Sequence, residues 1–386
     1  LTSHHLTSDH LTSDHLSSDH LSSDRLIISI FHYSIPSLFH FFVEPMKIRF
    51  SIVFFLIFQI TLAQVGGERI YSFLNIPTSA AQAALGGETL TLNDDVNQPL
   101  WNPSTISKFM DNQLAVNYVN YLTDVNMGSA TFAHLINRRF GTLHAGIQYI
   151  DYGEFIGADE EGNETGDFGA RDLAFSLGYA YNITRSDFYL GMNLKFLSSK
   201  IENYTSQGAA MDFGILYYSD LRPYSFTAVI RNLGYQFSPY EEIREEIAYD
   251  IAVGASYELS DVPIKWHLTI NSLQQWNIAV ANPSNDETDL DGNTTSENIN
   301  VFQNAIRHFV IGAEFFPKKK FNLRLGYNFR RAAELKLTET RTFAGISAGF
   351  GLKIGRMKLD YAFTKYHPVD NSSTFTLYID LTRKGF

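Results

Sequence analysis

Two acidic side chains, Glu314 and Asp360, are the residues of this sequence that best fit a general acid and a general base. A carboxyl pair can do that work when the two environments hold the pKa values apart. Both residues lie in segments that alternate between apolar and polar positions, and the polar positions of such segments also carry Lys195, Arg324 and Arg330. These cations favour structural ion pairs over acid–base chemistry. We therefore expect no enzymatic activity and no catalytic residues.

The histidines and one acidic stretch are the candidates for metal binding. Zinc ligands usually fall at short, regular spacings, whereas the histidines that follow Met46 are scattered: His134, His144, His267, His308 and His367. Residues 287–298 loosely resemble a calcium loop, but they begin with Glu287 and end with Asn298, where such a loop carries Asp and Glu. We expect no metal and no other cofactor, and we interpret residues 287–298 as a solvated loop.

Composition excludes further classes. The sequence has no cysteine, so disulfides and thiol-bound metals are excluded. Its formal net charge of −11 argues against nucleic acid, which requires a basic face. Phosphate-binding loops and the motifs of serine hydrolases and zinc proteases are also missing from the sequence.

The beginning of the chain predicts an export signal behind an unrelated leader. Residues 1–45 repeat a five-residue unit (LTSDH, LSSDH) that could be a metal-binding tract, but translated upstream DNA is the better interpretation. From Met46, a basic stretch, an apolar run over 52–62 and the small residue Ala63 form a signal peptide over 46–63. Cleavage between Ala63 and Gln64 would leave about 320 residues, enough for one large domain.

From residue 113 onward the sequence alternates with a period of two. Phe188, Leu190, Met192, Leu194 and Phe196 share one face of such a run, and charged or polar residues take the other face. Runs of about ten residues with one apolar face are typical of outer-membrane strands, and longer than those of a soluble sandwich. Fourteen runs are predicted, with starts near residues 113, 126, 140, 168, 187, 207, 223, 247, 262, 306, 321, 340, 356 and 373.

These runs predict an all-β fold, a 14-stranded antiparallel transmembrane barrel over 113–386 with an N-terminal plug over 64–112. Outer-membrane barrels alternate short periplasmic turns with longer external loops. The second, fourth, sixth, eighth, tenth and twelfth connections are short here, and the longest segments between runs are 153–167, 235–246 and 277–305. This length pattern places the plug on the periplasmic side and the long acidic segments outside. The expected location is the outer membrane of a Gram-negative bacterium.

The predicted plug carries the most distinctive motif. It begins GGERIYSFLNIPTSA, continues to AALGG and ends near WNP. This pattern resembles the PorQ family of the type IX secretion system, within a wider group of barrels that includes PorV and FadL. The residues that carry the resemblance are Gly66, Gly67, Tyr71, Phe73, Leu74, Pro77, Ser79, Ala80, Leu85, Gly86, Gly87, Trp101, Asn102 and Pro103.

The resemblance implies a non-enzymatic role in the attachment complex of that secretion system. Proteins of this family are expected to anchor a PorZ-like surface protein, alongside PorU-like and PorV-like partners, so that cargo is joined to anionic lipopolysaccharide. Outer-membrane lipid is the other expected partner. The alternative is a FadL-like transporter of hydrophobic small molecules, which a plugged barrel also permits. The acidic segments 153–167 and 277–305 are the docking candidates in the first case.

Overall fold

The computed structural model describes residues 69–137, 140–159, 161–183, 186–281, 287–288, 294–295, 299–336, 343–367 and 370–382. The leader, the signal peptide with its cleavage site at Ala63 and Gln64, and the motif residues Gly66 and Gly67 lie outside these ranges. So does most of the calcium-like stretch 287–298. The predictions made for these residues remain predictions.

Fourteen antiparallel strands form one closed barrel, as the alternating pattern predicts. The strands are β1 Gln113–Leu122, β2 Val125–Asn137, β3 Gly141–Ala158, β4 Glu164–Asn182, β5 Phe188–Ile201, β6 Tyr204–Tyr218, β7 Tyr224–Ser238, β8 Asp250–Glu258, β9 Ile264–Ile270, β10 Phe309–Phe315, β11 Phe321–Asn328, β12 Ile346–Ile354, β13 Met357–Thr364 and β14 Ser372–Asp380. The barrel closes where β14 pairs with β1, for example Phe375 with Tyr118. Closure leaves no free edge in the barrel wall, so every strand finds two neighbours.

The two faces of the wall differ as an outer-membrane barrel requires. Side chains that point outward are mostly apolar and exposed, such as Phe175, Leu190 and Met192. Side chains that point inward are mostly polar yet buried, such as Asn117, His144 and Lys195. The apolar outer face matches a lipid environment, and the barrel therefore supports an outer-membrane location.

The connections at the two ends of the barrel differ in length. The end that carries the even-numbered connections, here the turn end, has short turns such as 219–223 and 259–263. The opposite end, here the loop end, has the three longest connections, 271–308, 329–345 and 239–249. This contrast agrees with the alternation predicted from the sequence. Strand lengths are less uniform than predicted, since β9 and β10 have 7 residues each and β4 has 19.

The loop predicted over residues 153–167 is much shorter in the structure, so the predicted extent is wrong. Most of it is strand, because β3 and β4 stay paired from Asp151 with Arg171 up to Ala158 with Glu164. The connection between them is only 159–163, and it forms the tip of a hairpin. Side chains on both faces of this extension are exposed, so no alternating apolar pattern marks it in the sequence. The predicted loop 235–246 likewise begins too early, since β7 continues to Ser238.

Short helices occupy the remaining regions. They are α1 Ala80–Ala84 before the barrel, α2 Val301–Ile306 in the ninth connection and α3 Phe329–Glu334 in the eleventh. Within the described ranges, no helix is long and apolar enough to cross a membrane. A two-residue parallel pairing of Arg69–Ile70 with Glu246–Ile247 joins the start of the described chain to the seventh connection.

Candidate functional site

Residues 69–112, here called the inner segment, run through the barrel from one end to the other. Arg69 and Ile70 pair with the seventh connection at the loop end. Asn112 lies at the turn end, where its backbone N–H donates to Ala133 O, 2.8 Å away, just before β1 begins. The sequence predicts a plug on the periplasmic side, whereas the described part of the segment extends through the lumen as far as the loop end. Nothing in its local sequence could show this, because the pairing partner of Arg69 is 177 positions away.

Arg231 fixes the inner segment near the loop end. Its guanidinium donates to Leu74 O at 3.0 Å and to Asn75 Oδ1 at 3.3 Å. The same group lies over the Trp101 ring, 3.7 Å from its centroid, and 3.7 Å from the Asp250 carboxylate. One buried cation of β7 thus holds two distant parts of the inner segment against the wall.

An apolar cluster surrounds the first turn of the inner segment. Tyr71 adopts a left-handed backbone (φ 58°) and its hydroxyl lies 2.7 Å from Ser206 Oγ. This unusual backbone turns the chain inward, so that Phe73 and Leu74 are fully buried. The members of this apolar cluster are Ile70, Tyr71, Phe73, Leu74, Val119, Met127, Ile150, Ala174, Leu197, Ala210 and Ile247.

The middle of the inner segment packs directly on the backbone of the barrel wall. Ser79 caps α1 by accepting the Gln82 N–H, and the Ala80 N–H donates to Thr376 Oγ1 at 2.8 Å. Gly86 follows with φ 100° and touches Gly326 of β11, where an added Cβ would lie 2.1 Å from the Gly86 nitrogen. Glycine is required where two backbones approach this closely.

Further glycines of the wall make room in the same way. An added Cβ would lie less than 3.0 Å from an inner-segment atom at six more inward positions: Gly146, Gly178, Gly191, Gly214, Gly312 and Gly349. The inner-segment residues that it would meet are Leu100, Ile106, Pro103, Asn102, Leu85 and Ala84, in the same order. The lumen is thus shaped around this segment.

The WNP motif forms the second anchor. Asn102 donates from Nδ2 to Leu90 O and to Thr227 Oγ1, both at 2.9 Å, and its Oδ1 accepts the Ser104 N–H at 3.1 Å. Pro103 opens the short 3-10 turn Pro103–Thr105, which packs against Gly191 of β5. Each motif residue therefore satisfies a backbone group or contacts the wall.

Side chains of the wall satisfy other polar groups of the inner segment. Asn117 Nδ2 and Thr131 Oγ1 both donate to Asn97 Oδ1 at 2.8 Å. His144 Nε2 donates to Val96 O at 2.9 Å. Buried polar groups cost free energy unless they are paired, so these bonds stabilise one placement of the segment.

Buried ion pairs complete the lumen. Arg324 lies 2.9 Å from Glu314 and 2.8 Å from Asp360, and both carboxylates are almost fully buried. The expectation that these acids are counter-charges is confirmed for Arg324. Lys195 instead pairs with Asp212 at 2.7 Å, and Arg330 with Glu334 at 2.8 Å on α3.

The histidines are spread through the fold as the sequence suggests. His144, His267 and His308 are buried, each with a hydrogen-bonding contact: His267 Nδ1, for example, lies 2.7 Å from Thr91 Oγ1. His134 and His367 are exposed. In the part of the chain that the structure describes, no three His, Asp or Glu residues cluster as metal ligands would.

Two residues of the site, Arg231 and Asn232, are not predicted by the sequence analysis. Arg231 and Asn232 both point inward, because a bulge between β6 and β7 places two successive residues on one face. The sequence carries a signal of this bulge. The apolar outward positions of β7 are even-numbered up to Ile230 and odd-numbered from Leu233 onward. A change of parity inside one run indicates an extra residue.

Removing the Tyr378 hydroxyl gives a first test of these contacts. Tyr378 donates to Asp95 Oδ2 at 2.8 Å, from β14 to the inner segment. We expect Tyr378→Phe to lower the free energy of unfolding by about 1.5–3 kcal/mol, the usual loss for a hydrogen bond to a charged acceptor. Denaturant unfolding in detergent micelles measures it. Tyr118→Phe is the control, since that hydroxyl bonds Asn126 on the exposed outer face and should change stability by less than about 0.5 kcal/mol. Equal effects of the two changes would contradict the assignment.

Comparison with known proteins finds likeness only among solved structures. No family model matches the chain, and no curated protein matches it. The Ralstonia pickettii toluene transporter TbuX is 13% identical with a TM-score of 0.46, covering 80% of this chain and 98% of that chain. A TodX monoaromatic hydrocarbon channel mutant is 13% identical with a TM-score of 0.45, covering 78% and 96%. The KdgM porin is 5% identical with a TM-score of 0.30, covering 70% and 99%.

The site is thus a lumen occupied by the chain's own residues. The inner segment contacts the wall through hydrogen bonds, the stacking of Arg231 on Trp101 and close backbone packing. The protein is an all-β chain whose closed barrel has the architecture of an outer-membrane protein.

Proposed function

We propose that this protein is a non-enzymatic anchor in the outer membrane, a sealed barrel that holds a surface protein at its loop end. The motif shared with the PorQ family supports a place in the attachment complex of the type IX secretion system. PorZ-like, PorU-like and PorV-like proteins are the partners that this assignment implies.

One observation carries the anchoring role. The inner segment acts as a plug, because it enters at the loop end, leaves at the turn end and bonds to the wall between them. A conduit needs a path that opens at low cost, whereas here the glycines and the buried hydrogen-bonding side chains of the wall are matched to one occupant. A barrel of this kind favours a static scaffold.

Affinity purification from detergent-solubilised outer membrane tests the anchoring role. A tag on the barrel is expected to recover PorZ-like, PorU-like and PorV-like proteins, and deletion of the gene is expected to release the surface protein and its cargo into the medium. A deletion strain that keeps both at the cell surface would refute the proposal.

Transport of an apolar small molecule is the second candidate, and it is the activity that the names of TbuX and TodX state. The apolar cluster favours it, because eleven buried and mostly apolar side chains gather just below the loop end. An apolar molecule could occupy that region if residues 70–74 moved aside. Uptake of labelled toluene and of a labelled fatty acid by the deletion strain separates the two functions. Reduced uptake with normal surface protein supports transport, and the reverse supports anchoring.

A further inference from the structure

The β3–β4 hairpin rises beyond the part of the wall that faces lipid. On the outer face, apolar side chains end at Tyr149 and Leu173, and the next outward pair is Asp151 with Arg171. Strand pairing continues past that charged pair as far as Ala158. At about 3.3 Å per residue, the hairpin extends roughly 20 Å further along the strand.

The projecting part has sheet edges without a neighbour. Pairing of β2 with β3 begins at Asn126 with Asp151, and pairing of β4 with β5 ends at Ala170 with Ile201. Among the described strands, residues 152–158 and 164–169 therefore pair only with each other. Its exposed backbone and side chains are available to another molecule, and the glycine-rich bulges along it argue against addition of a regular strand.

The two faces of the hairpin differ. Directly paired residues share a face of the hairpin, so Ile156 and Asp167 lie side by side. Glu154 is the next residue of the same strand on that face. On the other face Phe155 stacks on Phe168, with ring centroids 5.4 Å apart. Ile156 is 69% exposed. It lies past the charged pair Asp151 and Arg171, outside the part of the wall that faces lipid. An exposed apolar side chain flanked by two carboxylates offers a binding partner both apolar contact area and charge, the combination found in protein interfaces.

The base of the hairpin is rigid. Tyr152 donates to Asp172 Oδ2 at 2.7 Å, Ser199 of β5 bonds the other Asp172 oxygen, and Tyr240 of the seventh connection bonds Ser199. At the tip, hydrogen bonds from the Asn163 side chain and backbone hold the pKa of Asp159 below its usual value, so the turn keeps its charge. A surface fixed in this way loses little conformational entropy on binding.

We propose that the face formed by Glu154, Ile156 and Asp167 docks a protein that presents basic side chains. This inference rests on the proposed anchoring function and names the surface that performs it. Residues 152–170 contain six carboxylate side chains and no lysine or arginine, so the charge around Ile156 is predominantly negative. An arginine of the partner can lay its apolar stem on Ile156 and direct its guanidinium to the two carboxylates. An acidic polysaccharide would be repelled by the same field.

Site-specific crosslinking in the native organism tests the docking face. A photo-crosslinking amino acid in place of Ile156 is expected to capture one surface protein, and E154Q/D167N in the same chain is expected to reduce that capture about tenfold. High salt should reduce it as well, because the contact is partly electrostatic. E241Q/E242Q is the matched control, since these exposed carboxylates lie in the seventh connection at the same end, and capture should be unchanged.

The outcomes separate this inference from the proposed function. Capture that persists in E154Q/D167N, or that falls equally in E241Q/E242Q, overturns the docking face. A second variant, with residues 153–167 replaced by a short turn, should lose the surface protein while the barrel still resists unfolding in detergent. If that variant keeps the surface protein and gene deletion releases it, the docking face is wrong and the anchor stands. If gene deletion also leaves it in place, the anchoring function itself is wrong.

Discussion

Gly326→Ala is expected to destabilise the barrel by about 3 kcal/mol or more. The added Cβ would lie 2.1 Å from the Gly86 nitrogen and 2.3 Å from the Leu85 carbonyl carbon. Both are backbone atoms, so no side-chain rotation can relieve the contact and either the inner segment or β11 must move. Overpacking of a close-packed interior costs about 1–3 kcal/mol, and more where the backbone itself has to shift.

Denaturant unfolding in detergent micelles measures that loss, and cleavage by chymotrypsin after Phe73 and Trp101, both buried in the folded barrel, reports whether the inner segment has left the lumen. Gly128→Ala is the control, because the nearest atom to its added Cβ is a carbonyl oxygen 3.8 Å away. Both substitutions replace a strand glycine by alanine, so the change in intrinsic strand propensity is the same in the variant and in its control. Unchanged stability of Gly326→Ala would show that the inner segment does not pack on β11 as described.

The wall of the barrel was largely predictable, for a physical reason. Lipid outside and polar groups inside impose a period of two on every strand, and that period is local in the sequence. The starts of β1 and β11 were predicted at the residues where they occur, Gln113 and Phe321. The start of β12 was placed six residues early, at residue 340, because the eleventh connection follows α3 and carries no alternating pattern of its own.

The contents of the lumen were less predictable because they depend on contacts distant in sequence. Small residues such as Ala80 and Gly86 suggested close packing inside a barrel, and the structure places both against the wall. The course of the inner segment from the loop end to the turn end depends on contacts such as the pairing of Arg69 with Glu246 and the hydrogen bond from Arg231 to Leu74 O. No local period encodes such pairs. The glycines on the inward face of the strands were the available signal, since a glycine inside a strand indicates a close backbone approach.

Arg231→Met is expected to cost about 3–5 kcal/mol, the range for breaking a buried ion pair by removing one partner. Methionine keeps most of the volume but leaves the Asp250 carboxylate with only its hydrogen bond from the Ser272 N–H, and leaves Leu74 O without its donor. The stacking on Trp101 is lost as well. Arg222→Met is the control, because Arg222 is exposed at the turn end and its removal should change stability by less than about 0.5 kcal/mol.

The same variant also distinguishes the two candidate functions, because Arg231 holds the part of the inner segment that fills the apolar cluster. Hydrogen exchange of the peptide covering residues 70–76 should accelerate in Arg231→Met while that of β11 is unchanged, since only the loop end is released. In planar bilayers, the wild-type protein should show no conductance if the barrel is sealed, and the variant should show conductance steps. Regular conductance or solute flux in the wild type would contradict a sealed barrel and favour transport. Unchanged exchange over 70–76 in the variant would show instead that the wall glycines and the WNP anchor hold the inner segment without Arg231.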